Sequence, residues 1–486
     1  MSCSLQTKVG VRSIYAFETL KAISSKQING MFMDAELLKT YKCAGKDNTP
    51  IVDNYLPKES FVLFDAYKLK GTEVVWINKN LVQEYGIELD EDAIINELIE
   101  NFSYVSKGYA KKARIITNDK KQFMADQYGS RHEICNGGSA RCGINGHFQI
   151  KGIGRNPLVA ANMSESHSHG KMFIDEAISE AIWGEICHKH LPYGAIRTLA
   201  IIKTNVKHKF GYLDDAPDKH CALAIREVSV RPAHFERCTF FWPEESYRYL
   251  RDNDANRVRK AAPYLSNLLL GEKQNASLGD ALNIVIDRLA CQIAASRVKG
   301  IPHGSLTSSN ISVDGRFLDF GTITAVPDFG NYVLANGVGA VWDDHELIES
   351  WLVNFIDTVN HYSEDDLSPS QIREHSSNFS RLLDEYENNF LLFELGIEEY
   401  SKPNIDKASL LKERLKSEER RFITRFNDED FRQNVLFEAK ALGLDVNFIG
   451  FPLRNAKYSS FTMLQSHLNT KYDYQSVSQL INIYLS

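Results

Sequence analysis

The feature that most constrains the fold is a change in sequence pattern at about residue 241. Residues 129–241 contain short strand-like segments punctuated by glycine, with one helical segment, "MFIDEAISEAIWGEICHKH", between them. After about residue 250 the apolar residues instead recur every three or four positions, which is the spacing of helices. Strands followed by helices predict an α+β fold, in which a small antiparallel sheet carries one helix and a mainly helical part follows.

These patterns divide the chain into four predicted segments. The stretch "GKDNTPIVDNYLPKES" is typical of a loop, and the strand-like "EVVWI" begins shortly after it. The stretch "FFWPEESYRYLRD" is suited to a hinge before the helical part. The predicted segments are an N-terminal extension (1–72), a sheet-containing lobe (73–241), a helical lobe (242–365) and a C-terminal helical extension (366–486).

Composition narrows the classes of function. A formal charge of −7 and a pI near 6.1 provide no global basic field for nucleic acid or an anionic membrane. No apolar run approaches the roughly 20 residues that cross a bilayer. The eight cysteines are scattered without a CxxC pair, which favours a reducing compartment. We therefore expect a cytoplasmic protein that binds neither nucleic acid nor a membrane.

A predicted hairpin in "NISVDGRFLD" carries two candidate metal ligands. The dipeptide Asp314-Gly315 is typical of a two-residue turn, and counting outward from it places Asn310 opposite Asp319. An amide oxygen and a carboxylate held together suit a hard cation such as Mg²⁺ or Mn²⁺. The alternative is a surface hairpin whose ends are polar.

A lysine on a predicted strand is the second candidate. Lys151, in "HFQIKGIGR", precedes the predicted helix that carries Glu180. Kinases use this arrangement to hold a phosphate-contacting ammonium by an ion pair. The alternative is a solvated lysine and an unrelated surface glutamate.

Two further features suit phosphate binding. The glycine-rich turn "NGGSA" contains Gly138 and Ser139, where backbone amides can approach a phosphate closely. Arg226 and Arg231, in "AIREVSVRPAHFE", supply two guanidinium groups that can clasp a terminal phosphate. A glycine turn between strands and a solvated strand end are the alternative interpretations.

Taken in order, these segments resemble the selenoprotein O family. The stretch "ADQYGSRHEICNGGSA" resembles the family's "GHQFG…QLGDGRA", and "QIKGIGRNP" resembles "QLKGxGRTP". The stretches "HGKMFIDEAISE" and "REVSVRPAHFE" are similar to "DGRAVLRSSIRE" and "RVAxSxxRxGxFE". Finally, "HGSLTSSNISVDGRFLDFG" resembles "HGVxNTDNMSxxGxTxDYG". The resemblance extends from about Val74 to Gly321.

The resemblance implies a kinase-like bilobal fold that binds ATP in a flipped orientation. It also implies transfer of AMP, rather than phosphate, to hydroxyl side chains of proteins. The roles that it implies are phosphate contact by Lys151 paired with Glu180, nucleotide contact by Gly138 and Gly170, phosphate binding by Arg226 and Arg231, and metal binding by Asn310 and Asp319.

The chain departs from the family pattern at positions that matter for chemistry. Ser309 stands where the family has a proton-accepting aspartate, and His169 stands at the aspartate before the glycine. Asn136 and Ser139 replace a glycine and an arginine of the glycine-rich loop. The family's C-terminal redox-active cysteine is missing, since the last cysteine is Cys291. Binding of nucleotide and metal is therefore expected, whereas the proton-transfer step is altered.

The favoured hypothesis is a nucleotidyltransferase that uses ATP and Mg²⁺ or Mn²⁺ to transfer AMP to a protein or peptide. One alternative is a nucleotide-binding pseudoenzyme that acts as a scaffold because Ser309 replaces the base. A protein kinase is the third possibility. Ser309 disfavours it, because kinases use an aspartate there to accept the hydroxyl proton.

Overall fold

Strands precede most of the helices in the computed structural model, which describes residues 56–130, 135–209, 218–271, 277–363, 367–423, 425–468 and 470–486. Nine strands form one antiparallel sheet in the order β2-β8-β9-β6-β5-β4-β1-β3, with β7 paired to β9. These strands are β1 (Phe61–Leu69), β2 (Glu73–Ile77), β3 (Tyr104–Ser106), β4 (Ile115–Asp126), β5 (Cys142–Asn145), β6 (Phe148–Lys151), β7 (Met172–Phe173), β8 (Thr198–His208) and β9 (Lys219–Glu227).

Four helices lie between strands of the sheet along the chain, and most of the others follow it. The four are α1 (Lys79–Glu84), α2 (Glu91–Phe102), α3 (Glu165–Ser168) and α4 (Ile174–His190). The helices after the sheet are α5 (Tyr249–Asp252), α6 (Asp254–Ala261), α7 (Tyr264–Leu270), α8 (Leu278–Lys299), α9 (His345–Tyr362), α10 (Pro369–Glu394), α11 (Lys402–Leu415), α12 (Asp428–Ala441), α13 (Ser460–Leu468) and α14 (Tyr474–Leu485). A small parallel pair, β10 (Asn331–Tyr332) and β11 (Arg420–Arg421), lies among them.

Local sequence signals set the helix boundaries. The Ser277 hydroxyl accepts a hydrogen bond from the backbone of Asp280 and begins α8, as its sequence predicts. Gly300 ends that helix in the left-handed conformation, at a φ of 86°. Ser368 and Gln371 form a capping box at the start of α10. These capping contacts fix both ends of α8 and the start of α10.

Helix α4 is buried on nearly all sides. Its residues Ile178, Ile182 and Trp183 are at most 2% exposed. The helix packs against β8 and β9 on one side and against α13 and α14 on the other. A helix buried on nearly all sides belongs in a core, and here the C-terminal helices complete that core.

The mixed α/β character is confirmed, and the sheet is larger than predicted. Strand β1 pairs with both β3 and β4, although its sequence was assigned to the N-terminal extension. The rest of that extension, residues 1–55, lies outside the described residues. Among the helices that the structure describes, none combines the length and hydrophobicity that crossing a membrane requires.

Candidate active site

Strand β6 presents two polar side chains on one face of the sheet. Because side chains alternate along a strand, Gln149 and Lys151 lie on the same face, opposite Phe148 and Ile150. The register with β9 pairs Gln149 directly with Arg226. All of these residues are buried. Lys151 and Arg226 therefore lie on the same buried face of the sheet.

Lys151 is the centre of a charge cluster. Its Nζ atom forms an ion pair with Glu180 on α4, and it donates to Asp319 Oδ1 at 2.8 Å. Glu176 Oε1 lies 3.6 Å away. The Lys151 side chain is 2% exposed, whereas that of Asp319 is 39% exposed. The lysine is therefore fixed in the interior while the aspartate reaches solvent, and the predicted pairing of Lys151 with Glu180 is present.

The opposite charges in this cluster stabilise each other's ionised states. Lys151 holds the pKa of Asp319 well below its usual range, which outweighs the opposing effect of burial. Burial alone would lower the pKa of Lys151, but Asp319 and Glu180 raise it above the usual value. Both groups are therefore charged at neutral pH.

A second ion pair that the sequence analysis did not predict borders the cluster. Arg141 makes two bonds to Glu176, Nη2 to Oε1 at 2.7 Å and Nη1 to Oε2 at 3.2 Å. Glu176 lies one helical turn before Glu180, so the two glutamates share a face of α4. That helical spacing is the signal that would have identified Glu176. Arg141 directly follows "NGGSA", and no sequence pattern marked it as a site residue.

The hairpin around Asp314-Gly315 has a different register from the predicted one. Ile311 bridges to Phe317 rather than to Leu318, and Leu318 N donates to the Asn310 carbonyl at 3.2 Å. Gly315 has a φ of 91°, whereas Asp314 is not left-handed. The turn is therefore a three-residue loop with glycine in its left-handed position, which also accommodates an Asp-Gly dipeptide. The predicted pairing of Asn310 with Asp319 is wrong by one residue.

Asp319 nevertheless directly follows Leu318, whose backbone bonds to Asn310, and so stands just beyond the end of the ladder. Its backbone is left-handed, at a φ of 65°, which is rare for a residue other than glycine. Asn310 Nδ2 donates to the Ser305 carbonyl at 2.9 Å. The amide oxygen of Asn310 accepts no hydrogen bond from the described residues, so it is available as a ligand.

The donor set at this hairpin fits a hard cation. Asn310 offers an amide oxygen and Asp319 an ionised carboxylate, which are the ligand types that Mg²⁺ and Mn²⁺ prefer. Within the described part of the chain, no group of three or more His, Cys, Asp or Glu side chains is arranged to hold a metal ion. A cation here would therefore take its other ligands from phosphate oxygens and water, as Mg²⁺ commonly does.

A buried hydrogen-bond network connects the two predicted arginines, and we call it the Asp126 network. Arg226 donates from Nε and Nη2 to Gln149 Oε1 at 2.9 and 2.7 Å. Gln149 Nε2 donates to Asp126 Oδ1 at 3.0 Å, and His234 Nε2 lies 3.2 Å from Asp126 Oδ2. His234 Nδ1 in turn accepts the backbone N–H of Arg231 at 2.9 Å. One carboxylate thus links the guanidinium of Arg226 to the backbone of Arg231. None of the three connecting residues was predicted from the sequence.

The protonation states of the Asp126 network follow from its geometry. Because His234 Nδ1 accepts a bond, the proton of the neutral ring lies on Nε2 and points at Asp126. Burial lowers the pKa of His234, which keeps the ring neutral. Burial alone would raise the pKa of Asp126, but the bond from His234 and the nearby charges lower it to about 2. The carboxylate is therefore a permanent acceptor.

Arg231 contacts the segment that carries Ser309. Its Nη1 atom donates to the Ser309 carbonyl at 2.7 Å and to the Tyr128 hydroxyl at 3.1 Å. The guanidinium lies 4.8 Å from the centre of the Tyr128 ring, within the range of a cation–π contact. The Ser309 hydroxyl shares a hydrogen bond with Thr307 Oγ1 at 3.0 Å. Ser309 is thus held by its neighbours through both backbone and side chain.

The glycine-rich turn is fixed against the end of β4. A Cβ atom at Gly138, whose φ is 141°, would lie 2.3 Å from the Asp126 carbonyl oxygen. The backbone of Ser139 donates to that same carbonyl at 3.0 Å, and its own carbonyl accepts from Asn156 at 2.6 Å. Close packing on protein therefore explains the glycine at this position.

Gly170 packs against the backbone that follows Lys151. A Cβ atom there would lie 2.3 Å from the backbone nitrogen of Arg155, and Gly154 N donates to the Gly170 carbonyl at 3.0 Å. No direct contact of Gly170 with the Lys151 cluster is present among the described residues.

Of the residues predicted from the sequence, the structure brings Lys151, Glu180, Arg226 and Asp319 into one cluster. Arg231, Ser309 and Asn310 adjoin this cluster.

Comparison with known proteins gives one consistent result. A family model described as "Protein adenylyltransferase SelO" matches residues 138–417. The chain is 22% identical over 380 residues to "Protein nucleotidyltransferase YdiU" of Clostridium botulinum strain Alaska E43, covering 72% of this chain and 71% of the relative.

Two shorter alignments carry the same protein name. The protein of Clostridium botulinum strain Eklund 17B is 22% identical over 296 residues, 57% of this chain and 54% of the relative. The protein of Trichodesmium erythraeum is 24% identical over 192 residues, which is 37% of each. These two alignments cover less than two thirds of the relatives.

Proposed function

The chain belongs to the SelO family of protein adenylyltransferases, and we propose that it transfers AMP from ATP to hydroxyl side chains of a protein or peptide. The observation that carries this proposal is the buried Lys151, held between Glu180 and a partly exposed Asp319. The proposal includes a kinase-like arrangement of two lobes, with boundaries near residues 72, 241 and 365. The names of the relatives, which are nucleotidyltransferases, support it.

The nucleotide would lie along the charged cluster. Lys151 would contact a phosphate oxygen, since its charge is fixed in place by two carboxylates. Arg226 and Arg231 would bind the phosphate end, because Gln149 fixes the guanidinium of Arg226 and the Ser309 carbonyl fixes that of Arg231. Gly138, Ser139 and Gly170 would border the nucleotide. Such a site accelerates transfer by positioning and by stabilising charge.

Asn310 and Asp319 would hold the metal ion. When bound, Mg²⁺ or Mn²⁺ would neutralise charge on the phosphates and on the leaving pyrophosphate. The amide oxygen of Asn310 and the ionised carboxylate of Asp319 support this assignment.

The transfer itself requires little covalent catalysis by the protein. The acceptor oxygen attacks the α-phosphorus, the bond from that phosphorus to the pyrophosphate oxygen breaks, and the hydroxyl proton leaves to solvent. Ser309 offers no carboxylate to accept that proton. Loss of a general base typically costs about 10² to 10⁴ in rate, which slows transfer without abolishing it.

A second function is favoured by Ser309 specifically. Its hydroxyl is hydrogen-bonded to Thr307 and cannot act as a carboxylate base, so the chain would then bind ATP as a scaffold without transfer. Bound nucleotide would stabilise the folded state in that case, as any ligand does.

The experiment that tests the proposal compares ATP labelled on the α- or the γ-phosphate. The full chain is incubated with each nucleotide, with Mg²⁺ or Mn²⁺, and with a lysate of the native host as the acceptor pool. We expect α-label alone on protein. Label from the γ-phosphate alone would make the chain a kinase, and ATP-dependent thermal stabilisation without any transfer would select the scaffold.

A further inference from the structure

A small cavity with an excess of positive charge lies outside the Lys151 cluster. It has a volume of 220 Å³ and lies between the end of β3, the turn after β6 and the end of β8. Among the described residues, its wall contains three cationic side chains and one carboxylate, namely Lys107, Arg155, Lys171 and Glu165. We call it the Lys171 cavity.

Lys171 is the buried charge in this wall. It is 9% exposed, and no carboxylate oxygen of the described residues lies within 4 Å of its Nζ atom. The nearest aromatic contact is the Tyr109 ring, whose centre is 5.8 Å away. Burial lowers the pKa of Lys171 and outweighs the opposing effects of Cys221 and Glu165, and the positive charge of Arg155 lowers it further. A buried cation without a partner is unfavourable unless an anion joins it.

The other two cations stand closer to solvent. Lys107 is exposed at the mouth of the cavity and has no ion pair among the described residues. Arg155 donates to the Ser168 carbonyl at 3.1 Å and to Glu244 at 3.2 Å, and both members of that ion pair are about half exposed. Neither contact brings a carboxylate to Lys171.

Two histidines supply neutral hydrogen-bonding groups rather than further charge. His169 Nδ1 accepts the backbone N–H of Lys171 at 2.9 Å, so the proton of the neutral ring lies on Nε2. Burial, with His208 and Lys171 nearby, lowers the pKa of His169 to about 4. The ring centre of His208 is 5.1 Å from that of His169. The wall thus combines an N–H donor with the cations.

The Lys171 cavity is separated from the Lys151 cluster by the backbone of Gly170 and Lys171. The Lys171 carbonyl accepts from Arg141 Nη1 at 3.3 Å on the cluster side, whereas its side chain lines the cavity. Lys151, Glu180 and Asp319 are not part of the wall. The volume of 220 Å³ is also below the roughly 300–1,000 Å³ typical of sites for whole ligands such as nucleotides.

We propose that the Lys171 cavity is a second anion-binding site, which takes a phosphate group and is distinct from the nucleotide cleft. Lysine and arginine side chains around a neutral N–H donor recognise phosphate oxygens by charge-assisted hydrogen bonds. The phosphate group comes either from inorganic phosphate or from a phosphorylated protein side chain. The site does not depend on whether AMP transfer occurs.

The test is calorimetric titration of the full chain with inorganic phosphate and, separately, with a phosphoserine peptide. Each titration is run with and without a saturating non-hydrolysable ATP analogue and Mg²⁺. We expect saturable binding that persists when the analogue is present. Tighter binding of the peptide than of inorganic phosphate identifies a phosphorylated side chain as the source of the group, and equal or weaker binding identifies the free ion.

Variants assign the binding to this cavity. We expect Lys171→Met to weaken phosphate binding at least tenfold, as the loss of a charge-assisted bond does, and Lys107→Met to weaken it less. Lys112→Met, an exposed lysine of the same loop outside the wall, serves as the control and leaves binding unchanged. Absence of binding, displacement by the ATP analogue, or equal binding by wild type and both cavity variants would overturn the proposal.

Discussion

Ser309 is the residue on which the proposed rate depends. It occupies the position of a proton acceptor but presents a hydroxyl that is bonded to Thr307. We predict that Ser309→Asp raises AMP transfer by about 10² to 10⁴, the usual contribution of a positioned base. The measurement is the initial rate of α-label transfer at saturating ATP.

Ser309→Ala is the matched control for that variant. It removes the hydroxyl without adding a base, so transfer stays within a few-fold of the wild-type rate. A folded Ser309→Asp protein with no gain in rate would contradict the assignment of this position.

Asp126 is the residue on which the arginines depend. An asparagine would keep the shape but present an NH₂ group to one of two donors, Gln149 Nε2 or the His234 ring. We predict that Asp126→Asn raises the KM for ATP and the inhibition constant of pyrophosphate by about tenfold or more, because the side chain of Arg226 and the backbone of Arg231 lose their fixed positions.

Steady-state kinetics with pyrophosphate as the inhibitor check this prediction. The control is Asp65→Asn, which removes a partly exposed carboxylate of the same sheet that pairs with Lys120 at 2.8 Å. A loss of thermal stability in Asp126→Asn without any change in KM or in pyrophosphate inhibition would show a structural role alone.

Residues of the site differ in how far the sequence could identify them. The pair of Lys151 and Glu180 could be predicted, because each lies in a recognisable local pattern. The Asp126 network could not be predicted, because the strand register and the fold bring Asp126 to Gln149, 23 positions away, and to His234, 108 positions away. No local pattern carries a contact of that kind.

At the scale of elements, helix α4 depends on its C-terminal neighbours. Ile481 on α14 is fully buried in the core that surrounds α4, whereas Ile483 on the same helix is 58% exposed. We predict that Ile481→Ala lowers the free energy of unfolding by about 2–5 kcal/mol, through lost burial and a residual cavity. Urea unfolding measures the difference.

Ile483→Ala is the internal control for this prediction. It removes the same atoms from solvent-exposed surface, so the free energy of unfolding changes by about 0.5 kcal/mol or less. Equal effects of the two variants would mean that α14 does not pack on the core as described.

The hairpin shows why an element can be predicted while its register is not. The Asp-Gly dipeptide correctly indicated a turn, but it suits both two-residue and three-residue loops. Contacts with residues outside the hairpin determine the loop length. Val313 N donates to the Val230 carbonyl, and Phe317 N donates to the Gly194 carbonyl. Such contacts hold Asp319 beyond the ladder, where it reaches Lys151.

At the scale of the whole molecule, Arg454 ties the C-terminal region to the helix before the candidate site. Its Nη2 atom donates to the Arg297 and Val298 carbonyls in the last turn of α8, at 2.8 and 3.0 Å. Its Nη1 atom donates to the Asp328 and Val326 carbonyls. The guanidinium thus supplies hydrogen-bond donors to carbonyls at the end of the helix.

We predict that Arg454→Lys lowers the free energy of unfolding by about 2 kcal/mol or more, because one ammonium cannot reach all four buried carbonyls. Chemical denaturation measures the loss. Arg432→Lys, at a partly buried arginine with one bond to the Ile449 carbonyl at 2.9 Å, is the control and changes stability much less. Similar losses in the two variants would contradict the role of Arg454 as a cap.

The proposed transfer of AMP requires the ionised carboxylate of Asp319 beside Lys151, so the decisive experiment removes that charge. The measurement is the amount of α-label placed on acceptor protein by wild type, by Asp319→Asn and by Asp314→Asn, a carboxylate of the same hairpin that pairs with Arg316 at 2.8 Å. We expect transfer by wild type and by Asp314→Asn, and loss of transfer in Asp319→Asn. Undiminished transfer by a folded Asp319→Asn protein would contradict the proposal.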